Sequence, residues 1–374
     1  MYICLKCDDA VPQEICLCVV LYNGVIMVVR EISCIFLCIF VLCSGVVSVD
    51  ITENKVTDMG GNEVDIHNPI SSIVCLDPFA TQMVLAIGGG DFLSSVFLGP
   101  ADKKVLHEIH AGVAELKSVG GPSGTNLESL TALKPDLVIS SVGSDEMNQN
   151  IRDLGFSVIE VDSESPEKLI QGIQIIGSAI GRSEQADEFI SWYTEKMDYI
   201  RKQTADVQDE DRKTVYIGGL EPLSTVGSDY YQHYLINNAG GKNIADGFTG
   251  GWNDVSLEQL YTWQPDVILF APYSKISVED LQKDPAWQKL TAVREGKVYR
   301  MPKYIASWDV PGPESVLGMM WLAEKMYPEK VNFAIEDEMR SFYLAFYDYQ
   351  ISDSTIDSIL EKQDLLDVNP TIIY

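Results

Sequence analysis

The chain has 374 residues, 46% hydrophobic and 9% aromatic, which is too apolar for a disordered protein. At roughly 100–200 residues per domain, this length suggests about two domains. The formal charge is −28, from 27 basic and 55 acidic side chains spread along the chain, and such a surface repels nucleic acid and anionic lipid headgroups.

The first 48 residues stand apart. Seven of the eight cysteines (Cys4, Cys7, Cys16, Cys18, Cys34, Cys38 and Cys43) lie in the first 43 positions, and only Cys75 follows. Cys4-x-x-Cys7 has the spacing of half a metal site, but no second pair or histidine partner accompanies it. Behind Arg30, Ile32 to Val47 reads ISCIFLCIFVLCSGVV, 16 apolar or uncharged residues. This is short for a membrane span of about 20 residues and suits the core of an export signal. Val46-Val47-Ser48 allows cleavage after Ser48. Two alternatives stay open: lipidation at Cys43, which the bulky Leu42 disfavours, and an uncleaved membrane anchor. A second apolar stretch, Ile15–Val29, precedes this segment, and Met27 would make a more ordinary start than Met1. On each reading the folded part begins near Val49 and works outside the cytoplasm, with one cysteine and no disulfide.

Val56–Ile66 (VTDMGGNEVDI) then alternates across a Gly-Gly turn and predicts a β-hairpin. Ile73–Leu76 reads as a strand, Thr81–Ile87 as a helix stopped by Gly88-Gly89-Gly90, and Leu93–Phe97 as the next strand. The glycine triplet lacks the spacing of a dinucleotide fingerprint. Helix Thr125–Leu133, strand Leu137–Ser140, helix Met147–Leu154 and strand Ser157–Val161 complete an α/β lobe with a mainly parallel sheet. Pro166–Gly181 and Ser183–Val207 are helical patterns. The second has a Ser183 cap, no internal Pro or Gly, and Ala186, Phe189, Ile190, Tyr193, Met197 and Ile200 at helical spacing. At about 1.5 Å per residue it spans roughly 36 Å, enough to connect two lobes rigidly. The alternation restarts with strand Val215–Gly218, helices Asp229–Ala239 and Leu257–Trp263, and strand Val267–Phe270. Helical Val278–Leu290, strand Lys297–Met301 and helix Glu314–Met326 follow. The expected organisation is a leader (1–48), an N-terminal lobe (49–182), a connecting helix (183–207), a C-terminal lobe (208–351) and a tail (352–374).

Two stretches repeat: LESLTALKPDLVIS from Leu127 and LEQLYTWQPDVILF from Leu257, 130 positions later. Each predicts a helix, a Pro-Asp turn and a buried strand, one copy per lobe. Glu128 and Glu258 fall in register. For Glu128, Thr125-x-x-Glu128 is a capping box; in the second copy a Ser256 cap places Gln259 in the box instead. Capping therefore accounts for one glutamate better than the other. The second reading is a pair of exposed acidic pegs made for basic sockets on a partner.

With these features the chain resembles the substrate-binding proteins of ABC importers for iron-siderophores, haem and cobalamin. The resemblance runs from about Val56 to Tyr349 and rests on VTDMGGNEVDI, SVGG…NLESLTALKPDLVISS, the long helix, GSDYYQHYLINNAGGKNIADGF…WNDVSLEQLYTWQPDVILF and DPAWQKLTAVREGKVYRMP. It implies two similar α/β lobes with central mainly parallel sheets, joined by one long rigid helix, and a ligand cleft between the lobes. It also implies that Glu128 and Glu258 meet arginines on the two halves of a permease dimer, which works with ATPase subunits. The protein would be a monomer and not an enzyme, with no cofactor of its own. Its bound ligand would be an iron chelate, haem or a corrinoid.

Ligands of open α/β sheets sit beyond the strands' carboxyl ends. Those positions nominate Phe79 after Pro78, the loop from Ser141 to Ser144, Tyr230, Tyr231, Trp252, Tyr273 and Trp308 between Ser307 and Asp309, with Trp252 and Trp308 expected on opposite sides of the groove. His107-x-x-His110 is the one closely spaced histidine pair and lacks an evident third ligand, so no metal site is expected. An alternative ligand is an oxyanion such as molybdate or tungstate, held by Ser, Tyr and backbone amides of the GSDYY and SVGS loops. A further alternative is a surface chelate-binding protein without a transport role. No Gly-x-Ser-x-Gly elbow, P-loop or His-Glu-x-x-His is present, and Cys75 alone cannot hold the cluster of related nitrogenase components.

N-terminal sequencing of the native protein tests the leader: the expected start is Val49, a lipid-bearing Cys43 would show a lipoprotein, and an intact end would show an anchor.

Overall fold

The computed structural model describes residues 2–3, 17–22, 25–30, 53–97, 100–121 and 124–361. Residues 1–50 and 51–374 are separate compact units. In the first unit, β1 (Tyr2–Ile3), β2 (Leu17–Tyr22) and β3 (Val25–Arg30) form an antiparallel sheet in that order. The second apolar stretch thus contributes β2 and β3, with Tyr22 paired to Val25. The export signal expected over Ile32–Val47, the cleavage expected after Ser48 and the alternative lipidation at Cys43 all fall outside the described residues.

The second unit opens with the expected hairpin, β4 (Glu53–Thr57) and β5 (Glu63–His67). Next come β6 (Ile73–Cys75), α1 (Pro78–Ala86), β7 (Leu93–Ser95), α2 (Pro100–Ile109) and α3 (Ala111–Ala114). The two-residue strands β8 (Gly120–Gly121) and β9 (Gly124–Thr125) lead into α4 (Leu127–Leu133), β10 (Leu137–Ser141), α5 (Asp145–Asp153) and β11 (Val158–Val161). Helices α6 (Pro166–Ala179) and α7 (Ser183–Thr204) follow. The second half consists of β12 (Thr214–Gly218), β13 (Ser224–Thr225), α8 (Tyr231–Asn238), β14 (Lys242–Asn243), β15 (Asn253–Asp254), α9 (Leu257–Trp263), β16 (Val267–Phe270), α10 (Val278–Lys283), α11 (Thr291–Arg294), β17 (Val298–Arg300) and α12 (Ser315–Met326). The chain continues through α13 (Ile335–Tyr347) and α14 (Asp353–Glu361).

The two main sheets are duplicates. One has the order β11-β10-β6-β7 and the other β14-β12-β16-β17, and every pairing in both is parallel. Numbered within its own half, each sheet reads 2-1-3-4. The central strands β10 and β16 are buried along their apolar runs, as parallel strands covered on both faces by helices must be. Helix α7 is 22 residues long, so it spans about 33 Å. It buries Ala186, Phe189, Tyr193, Met197 and Ile200, five of the six residues of its predicted stripe, in a core cluster that runs from Val56 to Ile359.

The repeated segment has a local logic. Asn126 and Ser256 cap α4 and α9, accepting hydrogen bonds from the Ser129 and Gln259 amides at 2.9 and 3.1 Å. Both helices end in a left-handed residue, Lys134 (φ 49°) and Gln264 (φ 47°), just before proline. The aspartates then tie the turn to the neighbouring strand. Asp136 Oδ2 accepts from the amides of Ser71 (2.7 Å) and Ser72 (2.9 Å), and Asp266 Oδ2 accepts from the amide and hydroxyl of Thr214, both at 2.9 Å. The cap corrects the capping-box expectation. With Asn126 rather than Thr125 at the cap, Ser129 takes the box position, and both glutamates stand at the second position of their helices.

Other boundaries moved for physical reasons. The helical pattern over 278–290 breaks at Lys283 because Asp284-Pro285 cannot continue it. Ser183 is the first residue of α7 rather than its cap, a place Arg182 takes. The expected tail from 352 contains α14, with Ile356 and Ile359 buried in the main core.

Removing the aspartate ties tests their role: Asp136→Ala and Asp266→Ala should each lower unfolding free energy by about 1–2 kcal/mol. They share no partner, so the double variant should show nearly the sum in denaturant titrations.

Candidate functional site

In each 2-1-3-4 sheet the strand order reverses between strands one and three, which is where a crevice opens beyond the carboxyl ends. In the first sheet this point is bridged by Asp77. It caps α1 by accepting from the Ala80 amide at 2.7 Å, and it accepts from Ser141 Oγ at the end of β10 at 2.6 Å. Burial pushes the Asp77 carboxyl up, against those hydrogen bonds. The loop after β11 is equally built. Asp162 accepts from the Glu164 amide at 3.0 Å and pairs with Lys168 at 2.5 Å, and Ser165 caps α6. From this loop Glu164 crosses to the other half, accepting from the Tyr231 amide at 3.1 Å. Burial raises its carboxyl, and the charges of Asp162 and Asp77 push the same way. A second approach lies between Gln82 of α1 and Gly312 after β17, where an added Cβ would come within 2.5 Å of Gln82 Oε1. The carboxyl-end loops of the two sheets therefore face and touch each other.

In the second sheet, Trp252 lies over the end of β12: a Cβ on Gly219 would meet its ring at 2.4 Å. Trp252 is 38% exposed, and the Tyr230 hydroxyl adjoins its loop at Gly251. Phe79, in the first turn of α1 after β6, and Tyr273, in the loop after β16, are partly buried. Arg300, buried at the end of β17, wraps the Tyr273 loop. Its guanidinium donates to the carbonyls of Ala271, Pro272 and Ser274 at 3.2, 3.1 and 3.0 Å, and to that of Ile276.

Two nominated residues do not present side chains to this surface. Trp308 is 0% exposed and packs against α12, where Gly318 leaves room for its backbone; it lies in the same half as Trp252, not across the groove. The Tyr231 ring is buried, and its hydroxyl meets those of Tyr193 (2.9 Å) and Ser315 (2.6 Å). Both tyrosine hydroxyls are pushed up by burial, Tyr193 to about 12. The Tyr231 amide reaches the other half, where it donates to Glu164. Asp77, Glu164 and Arg300 were missed in the sequence, where a polar residue just after an apolar strand was the available cue for the first two.

The histidines are separated by function. His107 pairs with Glu115 at 2.5 Å, whereas His110 caps α3 and approaches Asp91 at 3.5 Å. Among the described residues no group of three metal-binding side chains forms.

Glu128 and Glu258 are exposed, and among the described residues neither carboxylate has a hydrogen-bond or ion-pair partner. Each helix runs back against the parallel strand it feeds, which puts its first turn at the sheet's carboxyl edge, the edge that carries the cleft. Beside the first turns of α4 and α5 a groove of about 410 Å³ is lined by Thr125, Leu127, Ser144, Asp145, Glu146 and Met147, among others.

Two duplicated parallel-sheet halves, a connecting helix and ligand loops that face each other define a two-lobed solute-binding protein. The periplasmic binding protein family matches residues 73–305. The chain is 27% identical over 324 residues to the molybdate-binding protein MolA of Haemophilus influenzae, covering 79% of this chain and 92% of that one. It is 25% identical over 202 residues to a vitamin B12-binding protein of Salmonella paratyphi A, covering 53% and 71%. A solved periplasmic solute binding protein from Veillonella parvula aligns with a TM-score of 0.74 at 26% identity, covering 82% of this chain and 97% of that one. The chain belongs to the periplasmic binding protein family, the extracytoplasmic substrate-binding components of ABC transporters.

The two tryptophans should separate in a melting experiment. Trp308→Ala opens a core cavity and should cost about 3–5 kcal/mol of stability, while Trp252→Ala, at the surface, should cost about 1 kcal/mol or less.

Proposed function

We propose that this protein captures a metal chelate of the iron-siderophore, haem or cobalamin type and delivers it to a membrane permease, docking through Glu128 and Glu258. The observation that carries the docking half is the pair of exposed, unpartnered carboxylates at identical positions of duplicated helices, both at the cleft edge. Local capping does not require them, since Asn126 and Ser256 already cap the helices. The acidic residues of the groove beside α4, Asp145 and Glu146, extend the same charge, which suits basic residues on the permease.

The ligand half rests on Phe79, Tyr230, Trp252 and Tyr273, whose aromatic surface suits a planar or bulky chelate better than a small ion. The chelate is cargo rather than a cofactor. A second reading, a molybdate-type oxyanion, is favoured by the 27% identity to a molybdate-binding protein. Mass analysis of ligand carried by the protein from its own host decides between them.

Docking is tested by uptake with the cognate permease and ATPase. Glu128→Ala and Glu258→Ala should leave melting temperature and ligand affinity unchanged and reduce uptake, because each exposed pair contributes about 1 kcal/mol or more once desolvated. The double variant should be worse than either, and lysine at both positions worse still. Normal uptake by a well-folded double variant would sink the docking reading.

A further inference from the structure

Helix α8 begins without a cap of its own. The residue before it is Tyr230, whose side chain makes no capping hydrogen bond. The first amides of a helix lack partners within it and carry its positive end, which makes them the usual seat for an anion. Here the acceptor comes from the opposite lobe: Glu164 Oε2 takes the Tyr231 amide at 3.1 Å. Its reach is set by construction rather than chance. The Asp162 carboxylate holds the Glu164 amide, Lys168 holds Asp162, and Ser165 starts α6 on the next residue. On the other side, the Tyr231 hydroxyl is locked to Ser315 and Tyr193, so the amide is held in place as well.

We propose that Glu164 is a built-in anion: it occupies the amide end of α8, where a small oxyanion would otherwise find a donor, and so biases the cleft against small oxyanions while linking the lobes. The proposal rests on the reading that the cleft is the ligand site. A doubly charged oxyanion arriving there would meet an amide already taken and, around it, the carboxylates of Glu164, Asp162 and Asp77, with Lys168 committed to Asp162. A larger chelate bound by the aromatic residues does not depend on that amide.

The test is calorimetric titration of sodium molybdate into the full chain and its Glu164→Gln and Glu164→Ala variants, with melting curves to confirm folding. Removing the charge should tighten molybdate binding by at least about tenfold, with the alanine variant, which also frees the amide, tighter than the glutamine one. Equal molybdate affinity in all three proteins, or no binding by any of them, overturns the proposal. If the alanine variant fails to fold, the conservative glutamine variant decides alone by the same criterion. The reading of the cleft is tested separately, by titrating cyanocobalamin and haemin into the wild-type chain and Trp252→Ala. Binding that the tryptophan variant does not weaken would reject that reading whatever molybdate does.

Discussion

Three hydroxyls, those of Tyr193, Tyr231 and Ser315, meet in the buried centre of the second unit at 2.6–3.0 Å. They come from α7, α8 and α12, so one polar contact ties the connecting helix to the C-terminal lobe and to the helix that presents its amide end to the cleft. A hydroxyl buried without partners costs a few kcal/mol, and three that satisfy one another remove that cost only in one relative placement of the helices. The direction of α8, and with it the meeting of Tyr231 and Glu164, follows from that placement. Aromatic packing of Phe189, Trp192, Phe342 and Phe346 between α7 and α13 adds apolar contact on the same connecting helix.

The duplicated topology explains why the chemistry gathers on one edge. Parallel strands send all their carboxyl ends the same way, and two such sheets turned toward each other bring eight strand ends to one seam. Backbone-holding side chains then fix the loops there. Asp77 joins the loops after β6 and β10, Arg300 gathers four carbonyls of the loop after β16, and Glu314 accepts from the Ile305 and Ala306 amides and the Tyr343 hydroxyl. Burial pushes the Glu314 carboxyl up to about 7 despite those donors. Rigid loops of this kind cut the ordering cost of binding, which suits a protein that must hold a ligand and then release it to a partner.

The register of the glutamates has a fuller structural basis than spacing alone provides. From spacing alone they kept register with the leucines and the Pro-Asp turn but not with the caps. In the structure the caps keep register too, because Asn126 and Ser256 are equivalent. The whole unit of cap, glutamate, helix, left-handed residue, proline and anchoring aspartate is duplicated. Among the described residues, the cap, the left-handed residue, the proline and the aspartate each have a local task, while the glutamate carboxylates have no partner.

The sequence by itself determined the α/β class, the two halves, the connecting helix with its buried stripe and the paired glutamates. Each of these is written in local periodicity or in a repeat, and short-range backbone physics enforces it. Helix α13, with Ile335, Met339, Phe342, Tyr343 and Phe346 at helical spacing, is equally legible in the sequence. Tertiary structure alone decided which aromatic residues are core and which are surface. Trp252 and Trp308 both sit in glycine- or proline-rich loops, yet one is covered by α12 and the other is left open above β12. It also decided the partners of Asp77, Glu164 and Arg300, since those contacts join segments as much as 67 residues apart. A side chain's burial and its long-range partner depend on what the rest of the chain packs over it, which no local pattern records.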